Sequence, residues 1–467
     1  MKNLAATKII ATIGPSSWDR DILEEMFKNG MQIARINASF ADLTEVARVT
    51  ETLREISPRI TIMLDTQGAK IRVVDLEEEI NIQGTVSLSS FNSYIPSTIK
   101  ISYPDLHLQL AKDTSIFLDD GLIELSVSEV KGSEIICNVV QSGLLKPNKT
   151  VNIPSINLNF PSVTEKDKKD IQIALDQKLD YLSISFVRNA NDLLNVKELI
   201  GESDIKIVVK IENREGVENF DEILELTDAV MIARGDLGVE TPLENVPILQ
   251  KQIIYKCRSK GKPVIVATQM LESMKNNIKP TRAEVSDVVN AIMDGTDALM
   301  LSAETSTGKN PIEAVKTMNK IALNTESVMK LTPIYGATSA HKEVDEISRN
   351  VALLTESLPL KGIIIFSDDK GTIASISRHR PTVPIWSISS DIKRVRQDSI
   401  FRSVKSFYIN DLSDDRDDSI FKAMQTVYTY EELDLTDKVA IITGSSIKNK
   451  KDDLILEIAT VKDVLFN

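Results

Sequence analysis

In the stretch "IKIVVKIENREGVENF" a largely apolar run from Ile205 to Val209 ends in Lys210, and Glu212 follows two positions later. Residues i and i+2 of an extended strand point to the same side, so an ammonium and a carboxylate share one face at that strand's end. A second acid, Asp236, follows Gly235 in "IARGDLGVE". Two carboxylates, completed by waters and a substrate oxygen, are what Mg²⁺ or Mn²⁺ takes. An ammonium beside them either neutralises the acids or stabilises charge developing on a substrate oxygen, and spacing leaves both readings open. Gly235 permits a tight turn; if a helix starts just after it, the free N–H groups form an anion site. Thr268 in "VATQMLESM" suits a helix N-cap as well as a site hydroxyl. Ser302 and Glu304 read as supporting or rim-packing groups.

These groups need elements that bring them together. Short apolar runs of strand length recur: "TKIIATIG", "MQIARIN", "ITIMLDT", "YLSISFV", "IKIVVKIE", "AVMIARGD", "PVIVATQ" and "ALMLSAE". Helix-like segments separate most of them, such as "DILEEMFKNG", with Ile22, Leu23, Met26 and Phe27 on one face and Gly30 as a stop. Strands apolar on both faces and alternating with helices describe a covered parallel sheet, and eight such units predict an α/β fold closed as a (β/α)8 TIM barrel. Chemistry then gathers at the C-terminal strand ends. The second strand offers Arg35, Asn37 and Ser39; the third offers Asp65, Thr66 and, slightly later, Lys70 and Arg72. The fifth to eighth contribute Lys210, Glu212, Gly235, Asp236, Thr268, Ser302 and Glu304. Cations, carboxylates and hydroxyls on one rim suit a divalent-metal enzyme acting on a small anion.

About a hundred residues separate the third and fourth barrel strands. Their alternating runs, such as "SIFLDDGLIELSVSEVKGSEIICNVV", predict a small antiparallel β-barrel or sandwich, a lid able to exclude water. After a linker around "KLTPIYGATSAHKE", the runs "GIIIFS", "VPIWSI" and "VAIITGSS" predict a further α/β domain. The expected domains are a barrel over 1–72 and 162–337, a lid over 73–161 and a C-terminal α/β unit over 338–467.

With 467 residues, 42% apolar and 26% charged, the composition is that of a globular protein of several domains. The net charge of -13 argues against general nucleic-acid or anionic-membrane binding. Cys137 and Cys257 have no metal-ligand or disulfide-framework spacing, and His107, His341 and His379 lie away from the motifs. No apolar run approaches the ~18 residues of a membrane span. The N-terminal segment suits a first strand better than a signal peptide, so a cytoplasmic location is expected.

The sequence closely resembles the pyruvate kinase family at "TKIIATIGPSS", "IFLDDGLIEL", "VVKIENREGVENFDEIL", "MIARGDLGVE", "VATQMLESM" and "KPTRAEVSDVVNAIMDGTDALMLSAET". The resemblance implies phosphoryl transfer from phosphoenolpyruvate to ADP or another nucleoside diphosphate. Residue by residue, it implies that Glu212 and Asp236 hold the divalent ion, Mg²⁺ or Mn²⁺, and that Lys210 stabilises the phosphoryl group and the enolate. It gives the substrate carboxylate to the N–H groups of Gly235 and Asp236, with the Thr268 hydroxyl beside it. Arg35 and Arg72 meet phosphoryl oxygens, Asn37 and Arg72 flank the nucleotide, and Lys166 approaches it from the lid side. A homotetramer is implied, with Arg282 near a subunit contact.

Two departures stand out. The family's usual Asn-Phe-Ser-His is here Asn37-Ala38-Ser39-Phe40, which removes a polar nucleotide contact. "LDTQGAKIR" places Lys70 where potassium-requiring members have glutamate, so its ammonium is expected to replace K⁺ near Asn37, Ser39, Asp65 and Thr66. In the C-terminal domain, Asp368 and Asp369 disfavour an effector phosphate; Thr443, Ser445, Ser446 and the lysines of "TGSSIKNKK" offer anion donors but read first as a solvated basic loop. The phosphohistidine extension of some members is not expected. The alternatives are a metal-dependent lyase or aldolase acting on pyruvate or oxaloacetate, which needs neither the long insert nor the third domain, and a weakened paralogue that only binds ligand.

Overall fold

The computed structural model describes residues 4–329 apart from 93, 94, 96 and 97, the single residues 331 and 334, and residues 342–367, 371–444 and 454–466. Eight parallel strands close into a barrel: β1 (Lys8–Ile13), β2 (Met31–Asn37), β3 (Thr61–Asp65), β4 (Tyr181–Ile184), β5 (Lys206–Ile211), β6 (Ala229–Ala233), β7 (Val264–Ala267) and β8 (Ala298–Leu301). Closure runs through β1 and β8, with Lys8 opposite Ala298 and Ala11 opposite Leu301.

Period-two alternation sorts the strand residues. Ile207, Val209 and Ile211 of β5 pack outward among the helices, whereas Val208 joins Ile10, Ile33, Met63, Met231, Ile265 and Met300 inside the barrel. Arg35, Asp65 and Lys210 lie two positions beyond Ile33, Met63 and Val208, so they occupy the interior face one layer higher. The lower end of this interior is closed by Ile400 and Phe401 from the C-terminal domain, and the Tyr181 hydroxyl donates to Gln397 O at 2.7 Å.

Between β3 and β4 the chain forms a second closed barrel, from the strand Ile71–Val74 to the strand Thr150–Asn152. Alternate residues such as Ile116, Leu118, Ile123, Leu125 and Val127 fill it. Its first strand takes in Ile71 and Arg72, so Arg72 is carried by the lid. The C-terminal domain is a five-stranded sheet with an antiparallel edge strand, Ile455–Thr460. Asp368, Asp369, Ser445, Ser446 and the lysines that follow lie outside the described residues. Thr443 is described, and its hydroxyl accepts a hydrogen bond from Arg416 Nε at 3.0 Å.

Candidate active site

Asp65, at the end of β3, is wholly buried and organises the upper barrel. Arg35 donates to it through Nε at 2.7 Å and approaches again through NH2 at 2.6 Å, while the Arg35 NH1 group donates to Thr12 Oγ1 at 3.0 Å. Lys210 Nζ lies 3.1 Å from Asp65 Oδ1 and 3.0 Å from Glu212 Oε1, and donates to Ser185 Oγ at 2.8 Å. Burial alone would push the Asp65 carboxyl up, but Arg35 and Lys210 outweigh it and hold it below its ordinary value. Burial opposes the charge on Lys210 as well; Asp65 and Glu212 overcome it and raise the ammonium's pKa. Glu212 is raised, first by burial and further by Asp236, with Lys210 pulling the other way.

Asp236 comes from the helix Arg234–Glu240, which starts directly after β6 without a side-chain cap. Its first-turn N–H groups therefore form the positive helix end foreseen at Gly235. The Gly235 N–H donates to Thr268 Oγ1 at 2.8 Å, and that hydroxyl in turn donates to Ala267 O at 2.6 Å. Thr268 is not a helix N-cap. It sits in the left-handed region at φ 69°, followed by Gln269 at φ 54°, and the next helical turn begins only at Glu272. A β-branched residue at positive φ is strained, and Arg234 holds the turn by donating to Thr268 O at 2.8 Å.

Lys70 stands on the Asp236 side of the same cavity. Its ammonium lies against Asp236 Oδ1 at 2.7 Å and 4.7 Å from the centre of the Phe186 ring. The groups foreseen around it have other partners: Asp65 holds Arg35 and Lys210, Asn37 Oδ1 accepts from Ser39 N at 3.1 Å, and Thr66 Oγ1 accepts from Ser185 N at 3.3 Å. Gly68 explains the course of the chain. At φ 70° it packs so closely on the end of β4 that a Cβ would lie 2.7 Å from Ser185 Cβ and 2.9 Å from the Phe186 ring. The chain leaves β3, crosses the end of β4 and delivers Lys70 to Asp236.

Lys166 stands in the first turn of the helix Glu165–Asp176, capped reciprocally by Thr164 and Asp167, an arrangement that stabilises by about 1 kcal/mol. Its ammonium pairs with buried Asp170 and donates to Ala38 O at 3.0 Å. Arg72 NH1 donates to Asn148 O at 2.8 Å.

A cavity of about 200 Å³ is bounded by Arg35, Lys70, Lys210, Glu212, Asp236 and Thr268, with Asn37, Ser39, Arg72 and Ser302 also opening onto it. Glu304 is buried and accepts from Leu271 N and Ser302 N at 3.0 and 2.7 Å, a supporting role. Two contributors were missed from the sequence. Ser185 bridges Lys210 and Thr66 O, and the Phe186 N–H donates to Glu212 Oε2 at 2.8 Å from a left-handed backbone at φ 56°. Both sit in "SISFV", which reads as plain strand; no spacing signal could have found them.

Among the described residues no group of three or more His, Cys, Asp or Glu side chains stands ready for a metal. The cavity instead presents two carboxylates, Glu212 and Asp236, whose mutual repulsion helps to raise Glu212. That donor set fits a hard divalent ion which keeps waters and takes substrate oxygens.

Fold and site together define a barrel enzyme with cations and carboxylates gathered around one small polar cavity. A family model for the pyruvate kinase barrel domain matches residues 4–315, and one for the pyruvate kinase alpha/beta domain matches residues 345–457. The chain is 43% identical to a pyruvate kinase of Geobacillus stearothermophilus over 402 residues, 82% of this chain and 68% of that protein. It is 40% identical to a pyruvate kinase of Clostridium perfringens over 400 residues, 82% of this chain and 84% of that protein. The chain belongs to the pyruvate kinase family, and its activity is phosphoryl transfer between phosphoenolpyruvate and ADP, giving pyruvate and ATP.

Proposed function

We propose that this reaction is carried out in the cavity above the barrel interior by Arg35, Lys210, Glu212, Asp236 and Thr268. The observation that carries the reading is the position of Lys210 Nζ, between Asp65 and Glu212 at 3.1 and 3.0 Å, in a cavity that Asp236 and Arg35 also face. Phosphoryl transfer needs positioning and charge neutralisation more than covalent chemistry. Arg35, pre-aligned by Asp65 and Thr12, binds phosphoryl oxygens, with Arg72 meeting them from the lid. Lys210 donates toward the bridging enol oxygen and stabilises the enolate as the phosphoryl group leaves. The Thr268 hydroxyl fixes the turn that carries Gly235 and Asp236, keeping the first-turn N–H groups of that helix beside the substrate carboxylate.

Glu212 and Asp236 would hold Mg²⁺ or Mn²⁺, which when bound supplies positive charge to the transferring phosphoryl and enolate oxygens. Asn37, Arg72 and Lys166 flank the acceptor nucleotide. Lys70 provides a tethered positive charge in place of K⁺, acting from the Asp236 side of the cavity. The family assignment supports a homotetramer in the cytoplasm, with exposed Arg282 near a subunit contact. No helix among the described residues is long and apolar enough to cross a membrane.

Initial rates of ATP formation from phosphoenolpyruvate and ADP, with and without divalent ion, test the reading. Turnover is expected only with the divalent ion; a Lys210→Met variant that keeps wild-type turnover would refute the assignment.

A further inference from the structure

Among the described residues, the most exposed large apolar side chain stands on the wall of this cavity. Phe40 keeps 85% of its surface open, while Arg35, Lys210 and Glu212 on the same cavity are 7%, 9% and 1% exposed. A lone exposed phenylalanine on an open surface is unremarkable, but this one is held by its backbone. Phe40 N and Ala41 N both donate to Asn37 O at 3.1 Å, Ser39 N donates to Asn37 Oδ1 at 3.1 Å, and Ala38 N donates to Asp65 O at 2.9 Å. Lys166 Nζ closes the turn on Ala38 O at 3.0 Å. The turn that carries Phe40 is thus fixed by hydrogen bonds, and among the described residues its ring lies largely uncovered, a geometry suited to a surface that awaits a partner.

Exposure also gives the cavity a direction. Lys210 and the carboxylates form its floor, and Phe40 lies at its mouth. A nucleoside diphosphate that accepts a phosphoryl group on its terminal phosphate must point that phosphate at the floor. Its base, at the other end of the molecule, then lies at the mouth. Arg72 lines the cavity wall, and Lys166, behind the turn that carries Phe40, adds a second positive charge near the mouth.

We propose that Phe40 is the stacking platform for the base of the acceptor nucleotide, which is recognised by its π-face at this point. The proposal rests on the assignment of Arg72 and Lys166 to the diphosphate. Every base has such a face, so stacking tolerates base identity and favours the larger purines. What Phe40 contributes to base choice is then set by stacking strength, purines ahead of pyrimidines.

The test compares wild type, Phe40→Ala and Phe40→Trp. It measures KM for ADP, GDP and UDP, KM for phosphoenolpyruvate, and inhibition by inorganic pyrophosphate in competition with ADP. Phe40→Ala is expected to raise KM for the diphosphates on the order of tenfold and to narrow the purine–pyrimidine gap. Pyrophosphate, which has no base, should bind both proteins alike, and KM for phosphoenolpyruvate should hold; Phe40→Trp should keep or lower KM for ADP. A KM for ADP within about twofold of wild type in Phe40→Ala overturns the proposal. Equal weakening of pyrophosphate and ADP also overturns it, since Phe40 would then only be supporting the turn. Failure of the underlying assignment has a different signature: pyrophosphate inhibition untouched by Arg72→Met and Lys166→Met.

Discussion

The Lys70 ammonium lies 2.7 Å from Asp236 Oδ1, so a tethered cation already occupies one of the two carboxylates that face the catalytic cavity. Both partners are only about one-fifth exposed, so the pair is shielded yet reachable. A divalent ion approaching Asp236 meets the repulsion of that ammonium, whichever carboxylate oxygen it takes.

Adding potassium to a potassium-free assay is expected to change turnover by less than about twofold, and Lys70→Glu to lose on the order of tenfold or more without potassium and recover with it. Lys70→Met, which removes the competitor at Asp236, should reach half-saturation at lower Mg²⁺. Steady-state rates across potassium and magnesium titrations check all three outcomes.

Lys210→Met removes the donor aimed at the developing enolate, and kcat is expected to fall about 10²- to 10³-fold. It also leaves Glu212 without its cation, whereas Asp65 keeps Arg35. Breaking a buried ion pair costs about 3–5 kcal/mol when nothing compensates, so a smaller loss is expected here. Denaturant unfolding beside the kinetics separates the two effects.

The two buried acids respond to pH with opposite signs. Asp65 is held below its ordinary value of 3.8, so its contribution to stability is present above that value and is lost as pH falls through its folded pKa. Glu212 is raised above 4.5, so its ionisation works against stability as pH rises from there to its folded pKa. Activity that needs the Glu212 carboxylate should decline as pH falls through that raised value. More Mg²⁺ should move this acidic limb to lower pH, because metal binding competes with the proton. Profiles of kcat/KM against pH at two Mg²⁺ concentrations read this out, and an unmoved limb would detach Glu212 from the ion.

Thr268→Val keeps the shape of the side chain but withdraws the acceptor from the Gly235 N–H, 2.8 Å away. A lost hydrogen bond of this kind is worth about 1 kcal/mol, and a several-fold drop in kcat is expected as Asp236 loses its anchored turn. Thr268→Ser, which retains the hydroxyl, should stay close to wild type. Parallel kinetics on the two variants decide whether the hydroxyl or the strained backbone matters.

Much of the site could be read in advance because it lies on strands. Lys210 and Glu212 share a face by alternation, and both border one cavity with Arg35, Asp236 and Thr268. The lid and the C-terminal sheet announced themselves through shorter alternating runs. The partner of Lys70 did not. It follows β3 in sequence, which suggested a place beside Asp65, yet its carboxylate is 166 residues away. Ser185 and Phe186 were hidden for a related reason: their roles come from one hydroxyl and from a backbone N–H freed by a positive φ, features that apolar periodicity does not register.

The sequence by itself determined which side chains face inward at the top of the barrel, because strand periodicity is a local property of successive residues. It also carried the motifs that assign the chain to its family. Only the tertiary structure decided how charge is shared among them: Asp65 between Arg35 and Lys210, Asp236 with Lys70, and the Gly235 N–H with Thr268. Those pairings depend on distances between segments far apart in the chain, and such distances exist only once the barrel has closed.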